Sequence, residues 1–163
     1  MSIHLSVRID HHKAVLHLAR VSKATEHLNP FGAQTVARVA LDQIKRRTAL
    51  GLDQSEKPFQ AYRERHKRAR GKRGLSTRLV NLNFEGDMLR SLRAETRRPK
   101  GIPQPALVFH DTSERKKAMA HQKGGGKMPI REFLGFKRGT RSHNAVKRAA
   151  IAAFRRQIKA AKH

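Results

Sequence analysis

The chain has 163 residues, 37 of them Lys or Arg against 12 Asp or Glu, for a formal charge of +25 at pH 7. The absence of Cys excludes disulfides, thiolate metal sites and Cys nucleophiles, and fits a reducing compartment. No apolar run approaches the roughly 20 residues of a membrane span, and residues 1–13 lack the apolar stretch of a signal peptide.

The length predicts a single domain. Its segments read as a strand and two helices over 1–50, a basic loop region over 51–80, sheet and loops over 81–140, and a C-terminal helix over 141–163. Ile3, Leu5, Val7 and Ile9 alternate with polar residues, the period of a half-buried strand. Val15, Leu18, Ala19 and Ser22 keep a helical stripe and predict a first helix over His12–His27. Asn29 and Pro30 are a cap and a pre-set first turn for a second helix, Pro30–Leu50, with Ala33, Ala37, Ala40, Leu41, Ile44 and Thr48 on one face and Gly51 as a left-handed stop. Pro58 opens a short helix to about Ala69, which Gly71 and Gly74 break. Asp87–Leu92 reads either as a short helix or as a turn leading into a strand over Leu92–Arg97. Ala106–His110 is β-prone. Asp111 caps a helix through about Ala120, and residues 128–136 are extended or turn-like. The last helix, His143–Ala161, aligns Val146, Ala150, Phe154, Ile158 and Ala161. Helices and short strands mix without a βαβ rhythm. The fold class is therefore α+β, a small antiparallel sheet packed with N-terminal helices and a C-terminal helix.

The basic excess is uneven. Residues 1–50 hold 8 basic and 3 acidic side chains, and residues 101–163 hold 15 and 3. The densest run spans Arg63 to Arg73, where Arg63, Arg65, Lys67, Arg68, Arg70, Lys72 and Arg73 face only Glu64. Such a run is a solvated helix end, a contact to nucleic-acid phosphates, or a dock for an acidic protein. Phe59 and Tyr62 are the only aromatics near it, too few for a base-stacking platform.

Catalytic signatures are missing from the sequence. Gly124–Gly126 before Lys127 is no phosphate loop, because His121 stands where the first Gly belongs and Met128 where Ser or Thr belongs. The neighbours His11 and His12 point in different directions, no His-Glu-x-x-His or Gly-x-Ser-x-Gly occurs, and carboxylates are scarce. No catalytic residue, no cofactor and no metal site is expected, and the chain reads as a non-enzyme.

Three blocks stand in order. Lys57-Pro58-Phe59-Gln60-Ala61-Tyr62 leads into the basic run. Val80-Asn81-Leu82 precedes Gly86-Asp87-Met88-Leu89-Arg90-Ser91-Leu92. His121-Gln122-x-Gly124 precedes Pro129-x-Arg131-x-Phe133-Leu134-Gly135. Over roughly residues 50–140 this arrangement resembles the tailed-phage virion morphogenesis family, which includes tail-completion and head–tail joining (neck) proteins. The last block of that family often reads Pro-Pro-Arg-Pro-Phe-Leu-Gly, and here Ile130 and Glu132 replace two prolines. The resemblance implies a structural virion protein, made in the host cytoplasm, that completes the tail or joins head to tail. It implies a ring of copies around the DNA channel, six being the expected number. Neighbouring head-connector and tail proteins would be partners, with packaged DNA touched non-specifically and no membrane involved. Gly86, Asp87, Met88, Leu89, Leu92, His121, Gly124, Pro129, Arg131, Phe133, Leu134 and Gly135 are read as its packing residues, with Asp87 capping the turn. Composition alone favours a different class, a sequence-independent basic nucleic-acid-binding protein of ribosomal or nucleoid type.

Overall fold

The computed structural model describes residues 6–9, 15–19, 28–82, 86–124 and 128–161. Four strands form one antiparallel sheet in the order β1-β2-β4-β3. β1 (Ser6–Ile9) pairs with β2 (Val15–Ala19), Ile9 opposite Leu16. β4 (Gln104–Phe109) pairs with β2 on one side, and on the other with β3 (Leu92–Arg97) from Leu92 opposite Phe109 to Arg97 opposite Gln104. The fold is α+β, as the mixed periodicity predicts.

The helix expected over His12–His27 is a correction, because Val15–Ala19 is a strand. Over these five residues Val, Leu, His, Leu and Ala fit either period. Pairing with β1 and β4 settles the choice, a case of tertiary contact overriding local pattern. The expected strand residues Ile3 and Leu5 lie outside the described residues.

The helix α1 (Pro30–Ala49) begins and ends as its caps dictate. The Asn29 side chain accepts from Gly32 N at 2.7 Å, Pro30 fills the first turn, and Gly51 follows with φ +75°. Ala33, Val36, Ala37, Ala40 and Ile44 are buried along it. This helix packs against both β3 and β4 and against the C-terminal helix α5 (Arg141–Ala160), so it forms the centre of the molecule. Small residues permit the close approach: a Cβ on Gly32 would stand 3.5 Å from Ala153 Cβ. The α5 stripe buries Val146, Ala150 and Ala153, but Ile158 is exposed and the apolar side ends near Phe154, short of Ala161.

Three shorter α-helices and a 3-10 turn at Pro99–Gly101 complete the helical part of the described chain. α2 (Glu64–Gly71) starts later than expected, because Pro58 forms a bridge with Leu52 instead of a helical turn. α3 (Asp87–Ser91) runs directly into β3, so the two readings of that segment hold together. α4 (Thr112–Lys123) is capped by Asp111, whose carboxylate accepts from Ser113 N at 2.7 Å and Glu114 N at 3.1 Å. One hydrophobic core joins Leu28, Val36 and Ile44 with Phe59, Leu92, Leu107, Phe133, Leu134 and Val146.

Candidate functional site

The third sequence block builds the centre of the site. Arg131, Phe133 and Leu134 are buried, and the segment has no regular structure of its own, so its polar backbone must find partners elsewhere. Arg131 N donates to His121 O at 2.7 Å. The Gln122 amide clasps Leu134 twice, accepting from its N at 3.0 Å and donating to its O at 3.2 Å. Arg47, from α1, donates through one terminal nitrogen to Phe133 O at 2.6 Å and Gly135 O at 2.9 Å, and its guanidinium lies 5.2 Å from the Phe136 ring centroid. Burial pushes Arg47 down to about 10, against the opposing pull of Glu56 and Asp53, and it stays charged at neutral pH.

The Arg131 side chain reaches the first block. Its guanidinium donates to Gln60 O at 3.2 Å and Ala61 O at 3.4 Å, and lies 5.3 Å from the Tyr62 ring centroid. Arg70 approaches the same ring at 4.7 Å and donates to Ser76 O at 2.7 Å. His66 stands against Tyr62 at 4.7 Å between centroids. The second block supplies Val80, Leu82, Met88 and Leu92 to the same core. All three blocks are therefore in one packed unit.

Individual motif residues take different places. Gly86 precedes α3 with φ +87°, and Met88 and Leu92 are buried while Leu89 is half-buried. The Asp87 capping role is corrected: Gly86 holds the cap position, and Asp87, exposed in the first turn, pairs with Arg90. Gly124 is required twice over. Its φ is +72°, and a Cβ there would stand 2.9 Å from Ile130 Cγ1. Pro129 is half-buried, and Gly135 is buried with φ +108°.

The cationic run divides. Arg63, Arg65, Arg68, Lys72 and Arg73 are exposed and Lys67 is half-buried, held to Glu64 at 2.6 Å. Arg70 is 1% exposed and leaves the set of surface contacts. Burial follows from its work inside: its guanidinium ties α2 to the 76–81 segment, with Asn81 Oδ1 at 3.3 Å.

Between α2, α4 and the third block lies a cavity of about 640 Å3. Tyr62, Leu82, Met128 and Pro129 give it apolar wall, and Arg63, Arg65, Arg70 and Arg131 surround it with charge. His66, Ala69 and His121 complete the described wall. Burial first, then the charges of Arg131 and His66, pushes His121 down to about 4. Burial and the neighbouring Arg70 and Arg131 also lower His66. The His121 imidazole is thus neutral at pH 7 within a cationic setting.

Local pattern places Gln122 inside a motif but does not mark it, Arg47 or Glu56 as positioning residues. Their partners are 12 to 88 residues away, and only the fold brings them together. Among the described residues, no group of three or more His, Asp or Glu is placed to hold a metal, and no helix is long and apolar enough to cross a membrane. Comparison with known proteins finds no matching family model, no matching curated protein and no matching solved structure.

Proposed function

We propose that this chain is a structural protein of a tailed-phage virion, completing the tail or joining head to tail as an oligomeric ring around the DNA channel. The observation that supports this reading is the convergence of the three blocks that carry the resemblance. Arg131 alone bonds to the His121 carbonyl and to the Gln60 and Ala61 carbonyls, so the spacing of the blocks follows one packing unit. A ring closes through heterologous interfaces. The open sheet, with β1 and β3 at its edges, and exposed Phe31, Leu50 and Ile130 offer surface for such contacts. The function is then geometric: subunits pack side by side, and the basic surface meets DNA in the lumen or acidic neighbouring rings.

The basic excess, with exposed Arg63, Arg65, Arg68 and Lys72 around α2, favours a second reading as a sequence-independent nucleic-acid binder. Cryo-electron microscopy of particles carrying the chain, reconstructed without imposed symmetry, separates the two. The expected result is a closed ring of this chain at the head–tail junction. Absence from every particle, with recovery on nucleic acid instead, would overturn the virion reading.

A further inference from the structure

We infer that the cavity between α2, α4 and the third block is a docking site for an acidic peptide segment of a partner protein, one that presents carboxylates beside an apolar side chain. The inference goes beyond the virion reading and holds whether or not that reading stands. Charge complementarity carries it. The exposed Arg63 and Arg65 and the guanidinium of Arg131 stand around the cavity, and among the described residues no carboxylate lines it. A concave site with apolar walls and a few converging polar groups has the form of a binding pocket.

Two buried polar atoms give independent support. Among the described residues Tyr62 Oη and His121 Nδ1 find no hydrogen-bond partner, and both residues belong to the cavity wall. Tyr62 is 5% exposed, so its hydroxyl is a buried group whose desolvation no described residue compensates. A phenol and a neutral imidazole each have a donor or acceptor role to offer a ligand.

The chemistry of the wall favours a peptide over a nucleic acid. Leu82, Met128 and Pro129 would meet only hydrophilic phosphodiester in a nucleic-acid backbone, whereas a peptide brings its own apolar side chain. Base stacking is closed off, because the Tyr62 ring is buried under the Arg70 and Arg131 guanidinium groups. The chain's own acids are too few to make a second copy the natural source, with 12 against 37 basic residues. The segment therefore comes from a different, acidic protein.

The test uses the full chain and a fluorescent acetyl-Glu-Leu-Asp-Phe-Glu-amide peptide, with its Gln/Asn counterpart as control, in anisotropy titrations at about 0.15 M salt. The acidic peptide binds and the neutral one does not. The double variant R63Q/R65Q weakens binding about tenfold, the scale of a lost charged hydrogen bond. The variant R155Q/R156Q removes the same charge from α5 and weakens it less than about threefold, as expected for a remote screened charge. Nuclear magnetic resonance of the histidine rings gives a readout free of any variant: the acidic peptide shifts His66 and His121. Equal weakening by both double variants, or unmoved His66 and His121 resonances, overturns the site. Displacement of the peptide by a 20-base-pair duplex that binds more tightly and depends on the same Arg63 and Arg65 overturns the choice of occupant.

Discussion

His121 makes the cationic interior sensitive to acid in a defined window. Its ordinary value is 6.5, and burial beside Arg131 and His66 holds it at about 4. The unfolded chain takes up a proton at His121 below about 6.5, while the folded chain refuses it until about 4. Stability from this residue is therefore constant above 6.5, falls as pH drops toward 4, and changes no further below that. Between pH 7 and 4.5 the loss is roughly 2–3 kcal/mol. Urea unfolding of the wild type and of His121→Gln at those two pH values tests it. The variant should lose less stability on acidification by about that amount, and parallel losses would show that His121 is not the source. Tyr62 illustrates the same scale differently. Its ring is the meeting point of Arg70, Arg131 and His66, three residues from separate positions in the chain.

At the scale of elements, the turn after α1 organises its neighbours. Asp53 Oδ1 accepts from Ser55 N at 2.7 Å and Lys57 N at 2.9 Å, and Glu56 sits between them at φ +60°. That unusual backbone directs the Glu56 carboxylate to the start of α5, where it accepts from Ser142 N at 2.7 Å and Arg141 N at 3.1 Å. An anion there meets the unsatisfied amides and the positive end of the helix. Burial alone would raise the Glu56 pKa, but the bonds from Ser142 and Arg141 and the charge of Arg47 outweigh it and bring the value down. This contribution is present above the ordinary carboxylate value and is lost as pH falls through the lowered one. Glu56→Ala should cost about 1 kcal/mol at pH 7, the usual size of a helix cap. The difference from wild type should shrink by pH 3, and a difference unchanged between the two pH values would refute the carboxylate's role. Elements defined by their own caps were legible in the sequence: Asn29-Pro30 for α1, Asp111 for α4. β2 was not, because five residues of mixed pattern acquire their identity from strands on either side. In the third block Arg131, Phe133, Leu134 and Gly135 are buried while His121, Gly124 and Pro129 are half-buried, whereas Arg70, marked by its run as a surface cation, is buried by contacts with Tyr62, Ser76 and Asn81 that no local pattern encodes.

For the whole molecule, +25 on 163 residues means strong self-repulsion in the compact state. Salt shortens the reach of these charges from about 30 Å at 0.01 M to about 10 Å at 0.1 M. The melting temperature should therefore rise by several degrees over that range, roughly 4 °C for each kcal/mol relieved. A melting temperature independent of salt would mean that the repulsion is already neutralised within the fold. The interior shows how the chain accommodates its cations. Arg47, Arg70 and Arg131 are all buried, and each donates to main-chain carbonyls. A carbonyl never takes up a proton as a carboxylate does, so those hydrogen bonds have an acceptor that acid cannot switch off. They also depend on backbone position and not on side-chain identity at residues 60, 61, 76, 133 and 135. The sequence at several of those sites is thus free to drift while the wiring between segments persists, which lets an architecture outlive the similarity of its sequences.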